Sequence, residues 1–193
     1  MLVLDDFLNK KDFDVLQSFI ESMDFPWFYV SNVSLPPGAN FQDQQAKETF
    51  GFNHTVYNYE GGTPSFFFQS MPIILTTFEE KFNKKIKKLL RIRLGMKHPK
   101  LGFTKENYNL PHVDYHFPHE TLIYYINQTD GDTFIFEQAF TEEAGEPDNF
   151  SVAVRVNPIP NRMLYLENGL QYHTASNPID HDRRIVLNIN LIT

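Results

Sequence analysis

Hydrophobic and polar positions divide the chain into a front half with two stretches of helical period and a back half of short strand-like runs broken by turn residues. Val3 and Leu4 read as a short strand. Asn9 stands where a helix N-cap would, with Asp12 three residues later near the positive end of the dipole. Leu16, Phe19, Ile20 and Met23 then follow at helical spacing, a predicted buried face. Trp27-Phe28-Tyr29-Val30 predicts a second strand, broken by Leu35-Pro36-Pro37-Gly38. A loop is expected over residues 32 to 50, then a strand from Phe50 to Tyr59 that Gly61-Gly62-Thr63-Pro64 ends. Phe66, Phe67 and Phe68 read as packing residues. A second helix begins near Pro72, a residue favoured in a first turn, and points Ile73, Ile74, Phe78 and Phe82 at the core.

From Ile86 the period changes to two. Leu90, Ile92 and Leu94 alternate with Arg91 and Arg93, and further strands are expected near residues 101–104, 109–115, 120–127, 132–137, 151–156, 162–166, 170–175 and 184–192. Helices in front and many short strands behind suit a mainly β fold with packed N-terminal helices, a double-stranded β-helix (jelly roll, cupin-like), rather than an alternating βαβ fold. The expectation is a single domain over 1–193, in which 1–85 is a helical and strand support region and 86–193 the jelly-roll core. The acidic stretch from Gln138 to Asn149 reads as an exposed loop.

Composition narrows the chemistry. The 193 residues include no cysteine, so disulfides and thiolate metal sites are excluded and any metal takes nitrogen and oxygen ligands. A net charge of −7 argues against a generic grip on nucleic-acid backbones, unless Arg91 and Arg93 line a local groove. The dense basic run Lys81, Lys84, Lys85, Lys87, Lys88, Arg91 and Arg93 reads as a solvated helix end running into a strand. No apolar run is long enough for a membrane span, and the first residues lack the basic and apolar regions of a signal peptide, so the expectation is a cytoplasmic protein.

The stretch that carries chemistry is Pro111-His112-Val113-Asp114-Tyr115. On extended backbone His112 and Asp114 point the same way, and one more imidazole would complete two nitrogens and one carboxylate on one side of an ion, the set used by non-haem Fe(II) oxygenases. His173, on a late strand after the Glu167-Asn168-Gly169 turn, is the natural third ligand. The last strand puts Arg184, Val186, Asn188 and Asn190 on one face and Ile185, Leu187, Ile189 and Leu191 on the other. A guanidinium inside a barrel is costly unless paired, and a dicarboxylate would supply the partner; the alternatives are a surface arginine, or Arg183 in its place. Tyr125 could donate its hydroxyl to the same carboxylate, with Tyr124 facing away. Tyr115, His116, Asn190 and the loop 138–149 are candidates to face a substrate, while His116 and His119 otherwise read as exposed or packing histidines.

Taken in order, His112-x-Asp114, Ile123-Tyr124-Tyr125-Ile126-Asn127, Asp130-Gly131-Asp132-Thr133-Phe134, His173 and Arg184-Ile185-Val186-Leu187-Asn188 resemble the Fe(II)- and 2-oxoglutarate-dependent dioxygenases. The branch they resemble is that of the prolyl-4-hydroxylase-like enzymes, small bacterial and phage members included. The resemblance covers about residues 86 to 193, and Val3-Leu4-Asp5-Asp6-Phe7-Leu8 resembles the same branch's lead-in. It implies that His112, Asp114 and His173 hold Fe(II), and that Arg184 and Tyr125 hold the distal carboxylate of 2-oxoglutarate. It also implies that molecular oxygen and 2-oxoglutarate are consumed to hydroxylate a C–H bond of a peptide prolyl residue or a small metabolite, with succinate and CO2 as co-products. Two other readings stay open: a cupin-type metalloenzyme that does not use 2-oxoglutarate, and a non-catalytic jelly-roll binding or structural protein.

Overall fold

A computed structural model describes residues 1–31, 33, 50–145 and 147–193. In chain order the elements are β1 (Leu2–Leu4), α1 (Lys10–Ile20), β2 (Phe28–Val30), β3 (Gly51–Asn58), a 3-10 turn (Phe66–Ser70), α2 (Met71–Phe82), β4 (Lys88–Lys97), β5 (Glu120–Tyr125), β6 (Thr133–Ala139), β7 (Val152–Val156), β8 (Met163–Leu166), β9 (Gln171–Ala175) and β10 (Arg184–Ile192). The expected breaker Leu35-Pro36-Pro37-Gly38 lies outside the described residues, as do almost all of the expected loop over 32 to 50 and Glu146 of the acidic stretch.

Two antiparallel sheets face one another. The larger has seven strands in the order β1-β8-β5-β10-β4-β3-β2, and the smaller has three in the order β7-β6-β9. β10 is central to the larger sheet, pairing with both β4 and β5. Its alternation sorts the molecule into two layers. Ile185, Leu187, Ile189 and Leu191 join the core that includes Phe13, Leu16 and Ile20 of α1 and Ile74 and Phe78 of α2. Val186, on the opposite face, packs with Ile123, Tyr125, Ile135, Leu164 and Leu166 between the sheets. Each fully buried aliphatic or aromatic side chain is worth roughly 1.5–3 kcal/mol, so the helix-covered layer supplies most of the hydrophobic stabilisation. The inter-sheet space is left free for polar side chains.

The helices start and stop as their sequences dictate. The Asn9 side chain accepts from the Asp12 N–H to open α1, Pro72 sits in the first turn of α2, and Asn83 ends α2 in the left-handed conformation with φ 49°. The face predicted for α1 is displaced. Phe13 is buried along with Leu16 and Ile20, whereas Met23 lies past the end of the helix and is fully exposed and Phe19 is 38% exposed. Phe19 instead stacks on Phe67, 5.7 Å between ring centroids, so an aromatic cluster rather than the sheet takes that side chain. Ile73 is likewise exposed, Phe66 is exposed, and Phe67 is buried.

Strands expected at 101–104 and 109–115 do not form. The first is a pair of turns, closed by Phe103 N–H to the Lys100 carbonyl and Asn107 N–H to the Thr104 carbonyl. The second is irregular and makes one bridge, His112 opposite His173. Pro111 has no N–H to give to a ladder, so the stretch meets β9 only at intervals, through His112 opposite His173 and through Asn109 N–H to the Ala175 carbonyl at 3.0 Å.

The N-terminal segment is clasped to the sheet by Asn161. Its side chain accepts from Leu8 N–H (2.9 Å) and from the Tyr124 hydroxyl, and donates to the Leu8 carbonyl (2.8 Å), all in the interior. Its backbone is left-handed at φ 65°, where asparagine is tolerated better than most residues. Asn161→Ala removes three buried hydrogen bonds and adds backbone strain. The expected loss is about 3–4 kcal/mol of unfolding free energy, read by urea denaturation, with no change in metal binding.

Candidate metal centre and carboxylate pocket

Local chain chemistry presents the two imidazoles. His112 and His173 exchange backbone hydrogen bonds at 3.0 Å in each direction. Each ring is then fixed by its own Nδ1, 3.2 Å from the Leu110 carbonyl for His112 and 3.1 Å from the Gln171 carbonyl for His173. A carbonyl can only accept, so both Nδ1 atoms carry hydrogen, and Nε2 is the atom each ring offers to a metal. His173 is 3% exposed, and its Nε2 is buried without a hydrogen-bond partner.

Asp114 completes the group. One donor atom from each of His112, Asp114 and His173 lies within 4.8 Å of the others, the His173 Nε2 to Asp114 Oδ2 separation being 3.7 Å, too long for a hydrogen bond. The carboxylate is held from behind: Arg91 Nη2 donates to Oδ1 at 2.5 Å, and Asn188 and Asn190 donate to Oδ2 at 3.2 and 2.9 Å. Burial alone would push the Asp114 pKa up. The Arg91 guanidinium and then the two histidines overcome this and hold it well below the usual carboxylate range. Desolvation in the site, followed by the nearby His173, lowers His112, which favours its neutral form. The buried, unpartnered Nε2 of His173, an imidazole kept neutral at His112 and an ionised carboxylate are a donor set that fits a divalent ion, Fe(II) included; against burial, the Asp114 carboxylate raises the His173 pKa, so metal and proton compete for that nitrogen.

Arg184 opens β10 and is 3% exposed. Its Nε donates to the Gly131 carbonyl at 2.6 Å and its Nη2 to Thr133 Oγ1 at 2.8 Å, and the Tyr125 hydroxyl donates to that same Thr133 Oγ1 at 2.7 Å. The guanidinium lies 5.7 Å from the Tyr125 ring centroid. Among the described residues no carboxylate pairs with it; Asp132, which favours its charge from a distance, is bound to Arg155. Gly131 is required by this contact, since a Cβ there would lie 2.8 Å from Arg184 Cδ and 3.0 Å from the Ser176 carbonyl. Arg183 points elsewhere and pairs with Glu21 at 3.0 Å, so of the two arginines Arg184 is the one in the barrel. Tyr124 faces the helix-covered core, bonded to Asn161.

One cavity of about 310 Å³ joins the parts: His112 and His173 line it together with Thr133 and Arg184. Several residues assigned toward a substrate are elsewhere. Asn190 holds Asp114, His116 stacks on Phe140 with 4.3 Å between ring centroids, and neither these nor Tyr115 nor the described residues of the loop 138–149 line the cavity. His119 is buried against Gly169, where a Cβ would come within 2.5 Å of its ring. The walls come instead from β2, β3 and β4, through Val30, Phe52, Asn53, Arg93, Met96 and Lys97. The basic run therefore splits: Arg91 and Arg93 turn inward to the site, and only its lysine part is the solvated helix end that was expected.

The supports of Asp114 are what sequence reading missed, although Arg91 alternating with Leu90 and Ile92, and the polar row Asn188 and Asn190 in a buried strand, carried the signal. Asn190→Ala removes the Asp114 hydrogen bond and one to Thr121 Oγ1 (3.0 Å). Isothermal titration is expected to show a 10–100-fold weaker affinity for a divalent ion, the usual cost of losing a partner of a ligand.

No protein-family model and no curated protein sequence matches the chain. Solved structures do. The non-heme alpha ketoglutarate dependent epimerase SnoN from nogalamycin biosynthesis superposes with a TM-score of 0.61 at 10% identity, over 99% of this chain and 77% of that one. A Pseudomonas putida prolyl-4-hydroxylase gives 0.59 at 11%, covering 98% and 90%, and the viral collagen prolyl hydroxylase of Paramecium Bursaria Chlorella virus-1 gives 0.52 at 13%, covering 100% and 95%. The chain thus has the jelly-roll fold of the 2-oxoglutarate and Fe(II) oxygenases, prolyl hydroxylases from a bacterium and a virus among them.

Proposed function

We propose that the protein is an Fe(II)- and 2-oxoglutarate-dependent oxygenase that hydroxylates a C–H bond of a small molecule or peptide. The observation that carries this reading is a cavity lined by two imidazoles, with the Asp114 carboxylate grouped beside them, and by a buried guanidinium that no carboxylate among the described residues pairs with. A dicarboxylic keto acid has the chemistry to join the two. His112 Nε2, His173 Nε2 and an Asp114 oxygen would hold the metal, while Arg184, with Tyr125 and Thr133 around it, would take the distal carboxylate.

The bound metal with 2-oxoglutarate supplies activation of O2: one oxygen atom enters the substrate C–H bond as hydroxyl, the other enters succinate, and the keto acid loses CO2. The chain's own residues do the positioning. Arg91, Asn188 and Asn190 keep Asp114 ionised and aimed, the Leu110 and Gln171 carbonyls fix the imidazole orientations, and the core between the sheets closes one wall of the cavity. The bacterial and viral prolyl hydroxylases of like fold support hydroxylation, and the epimerase shows that the same fold hosts other outcomes.

The test is anaerobic reconstitution. Fe(II) followed by 2-oxoglutarate is expected to give the visible charge-transfer band of a metal-bound keto acid, absent with succinate. Iron binding with no such band would sink the 2-oxoglutarate reading in favour of a cupin-type metalloenzyme, and no iron binding would leave a non-catalytic barrel.

A further inference from the structure

Strand alternation sets Arg91, Arg93, Gly95 and Lys97 of β4 in one row, opposite Asn190, Asn188, Val186 and Arg184 of β10. Arg91 is taken by Asp114. Arg93 and Lys97 both line the cavity, and among the described residues neither has an ion-pair partner. Asp114, the one acid acting on Arg93, already carries Arg91 and both asparagines.

Counting charge shows what is missing. A divalent iron and a 2-oxoglutarate dianion cancel, as do Asp114 and Arg91. Among the described residues, Arg184, Arg93 and Lys97 are left over around one small cavity. Burial, then Arg184, Arg93 and Lys100, brings the Lys97 pKa down to about 7, which is how a lysine behaves where positive charge is crowded. A neutral substrate would leave these charges desolvated without compensation.

Gly95 marks the place. A Cβ built there would meet nothing within 4 Å, so among the described residues the space over it is open, with Arg93 and Lys97 two positions to either side. Asn53 of β3 stands beside it in register, and Val30, Phe52 and Met96 add apolar wall. We propose that the oxidised substrate is a small organic acid with an apolar body, its carboxylate seated over Gly95 between Arg93 and Lys97. This deepens the oxygenase reading and rests on it.

The experiment uses protein loaded with Fe(II) and saturating 2-oxoglutarate under argon. It is titrated to millimolar concentration with monocarboxylic acids from butyrate to 3-phenylpropionate and with N-acetyl amino acids, each beside its carboxamide. An N-acetylprolyl peptide amide and a 5′-mononucleotide are the comparisons. At least one acid is expected to shift the charge-transfer band saturably, with its carboxamide at least about tenfold weaker, the scale of one charge-assisted hydrogen bond. Arg93→Met, and Gly95→Leu, which fills the slot, should each weaken the acid about tenfold or more while the 2-oxoglutarate midpoint stays put. The proposal is overturned if no acid shifts the band, if the peptide amide or the nucleotide binds better than every acid, or if Arg93→Met moves the 2-oxoglutarate midpoint instead. Should no band form at all, the oxygenase reading fails by itself. Thermal shift of the metal-free protein by the same acids, and its loss in Gly95→Leu, then decides the acid site separately.

Discussion

Arg184→Met is expected to leave Fe(II) binding intact and to weaken 2-oxoglutarate about thirtyfold or more. A buried charge pair that loses one member costs roughly 2–5 kcal/mol or more, because the orphaned carboxylate is still taken out of water, and each 1.4 kcal/mol is a factor of ten. Anaerobic titration of the charge-transfer band reads the change directly. The same variant carries a second expectation of opposite sign. Without a bound dicarboxylate, Arg184 keeps its charge in the interior against burial, with the neutral Gly131 carbonyl, Thr133 Oγ1 and Tyr125 hydroxyl around it and no carboxylate paired with it among the described residues. Methionine removes that cost, so the ligand-free variant should melt at or above the temperature of the parent. A clear fall in both melting temperature and iron affinity would mean that Arg184 is a structural residue and no carboxylate site. Arg183→Met, which breaks only the pair with Glu21, should change neither binding curve.

His173→Ala should abolish stoichiometric metal binding. The loss exceeds the 10–100-fold expected at Asn190, because a ligand is removed rather than its support. The variant also takes a buried Nε2 that has no partner and deletes it, so the apo-protein tolerates the change better than burial alone would suggest, although a cavity replaces the ring. Asp114→Asn separates charge from shape: the amide keeps the hydrogen-bonding outline but leaves Arg91 without its counter-charge, and both metal affinity and stability should fall. Calorimetry with Fe(II) under argon and thermal melts of the metal-free variants distinguish the two. If His173→Ala binds Fe(II) as the parent does, the site lies elsewhere.

Period-two alternation made β10 legible residue by residue, since a strand with one aliphatic and one polar face allows a single assignment of sides. The same rule made Tyr124 and Tyr125 diverge. What failed were places where the backbone leaves regular structure. The stretch around His112 and Asp114 has strand composition, yet Pro111 deprives it of a ladder, and side-chain bonds from Arg91, Asn188 and Asn190 hold it instead. Such long-range partners have no local signature. The α1 face went astray because helical spacing continued past Ile20 on paper, while the helix itself ends there and Phe19 found aromatic neighbours from the 3-10 turn. The cavity wall from β2 and β3 could not be read at all from the distances between residues in the chain, because those strands join the sheet beyond β4 only through pairing.

The edge pairing of β1 with β8, in which Leu4 faces Met163, sets the order in which the chain can finish folding during synthesis. β1 leaves the ribosome well before β8, since Met163 lies 159 residues further along the chain than Leu4. At about 5–20 residues per second, Leu2 to Leu4 and the apolar side chains behind them wait on the order of ten seconds or more for β8 and the Asn161 clasp to emerge. Until then Phe7, Leu8 and the inner side of α1 lack the part of the sheet that β8 completes, which makes closure of the fold a late, long-range step.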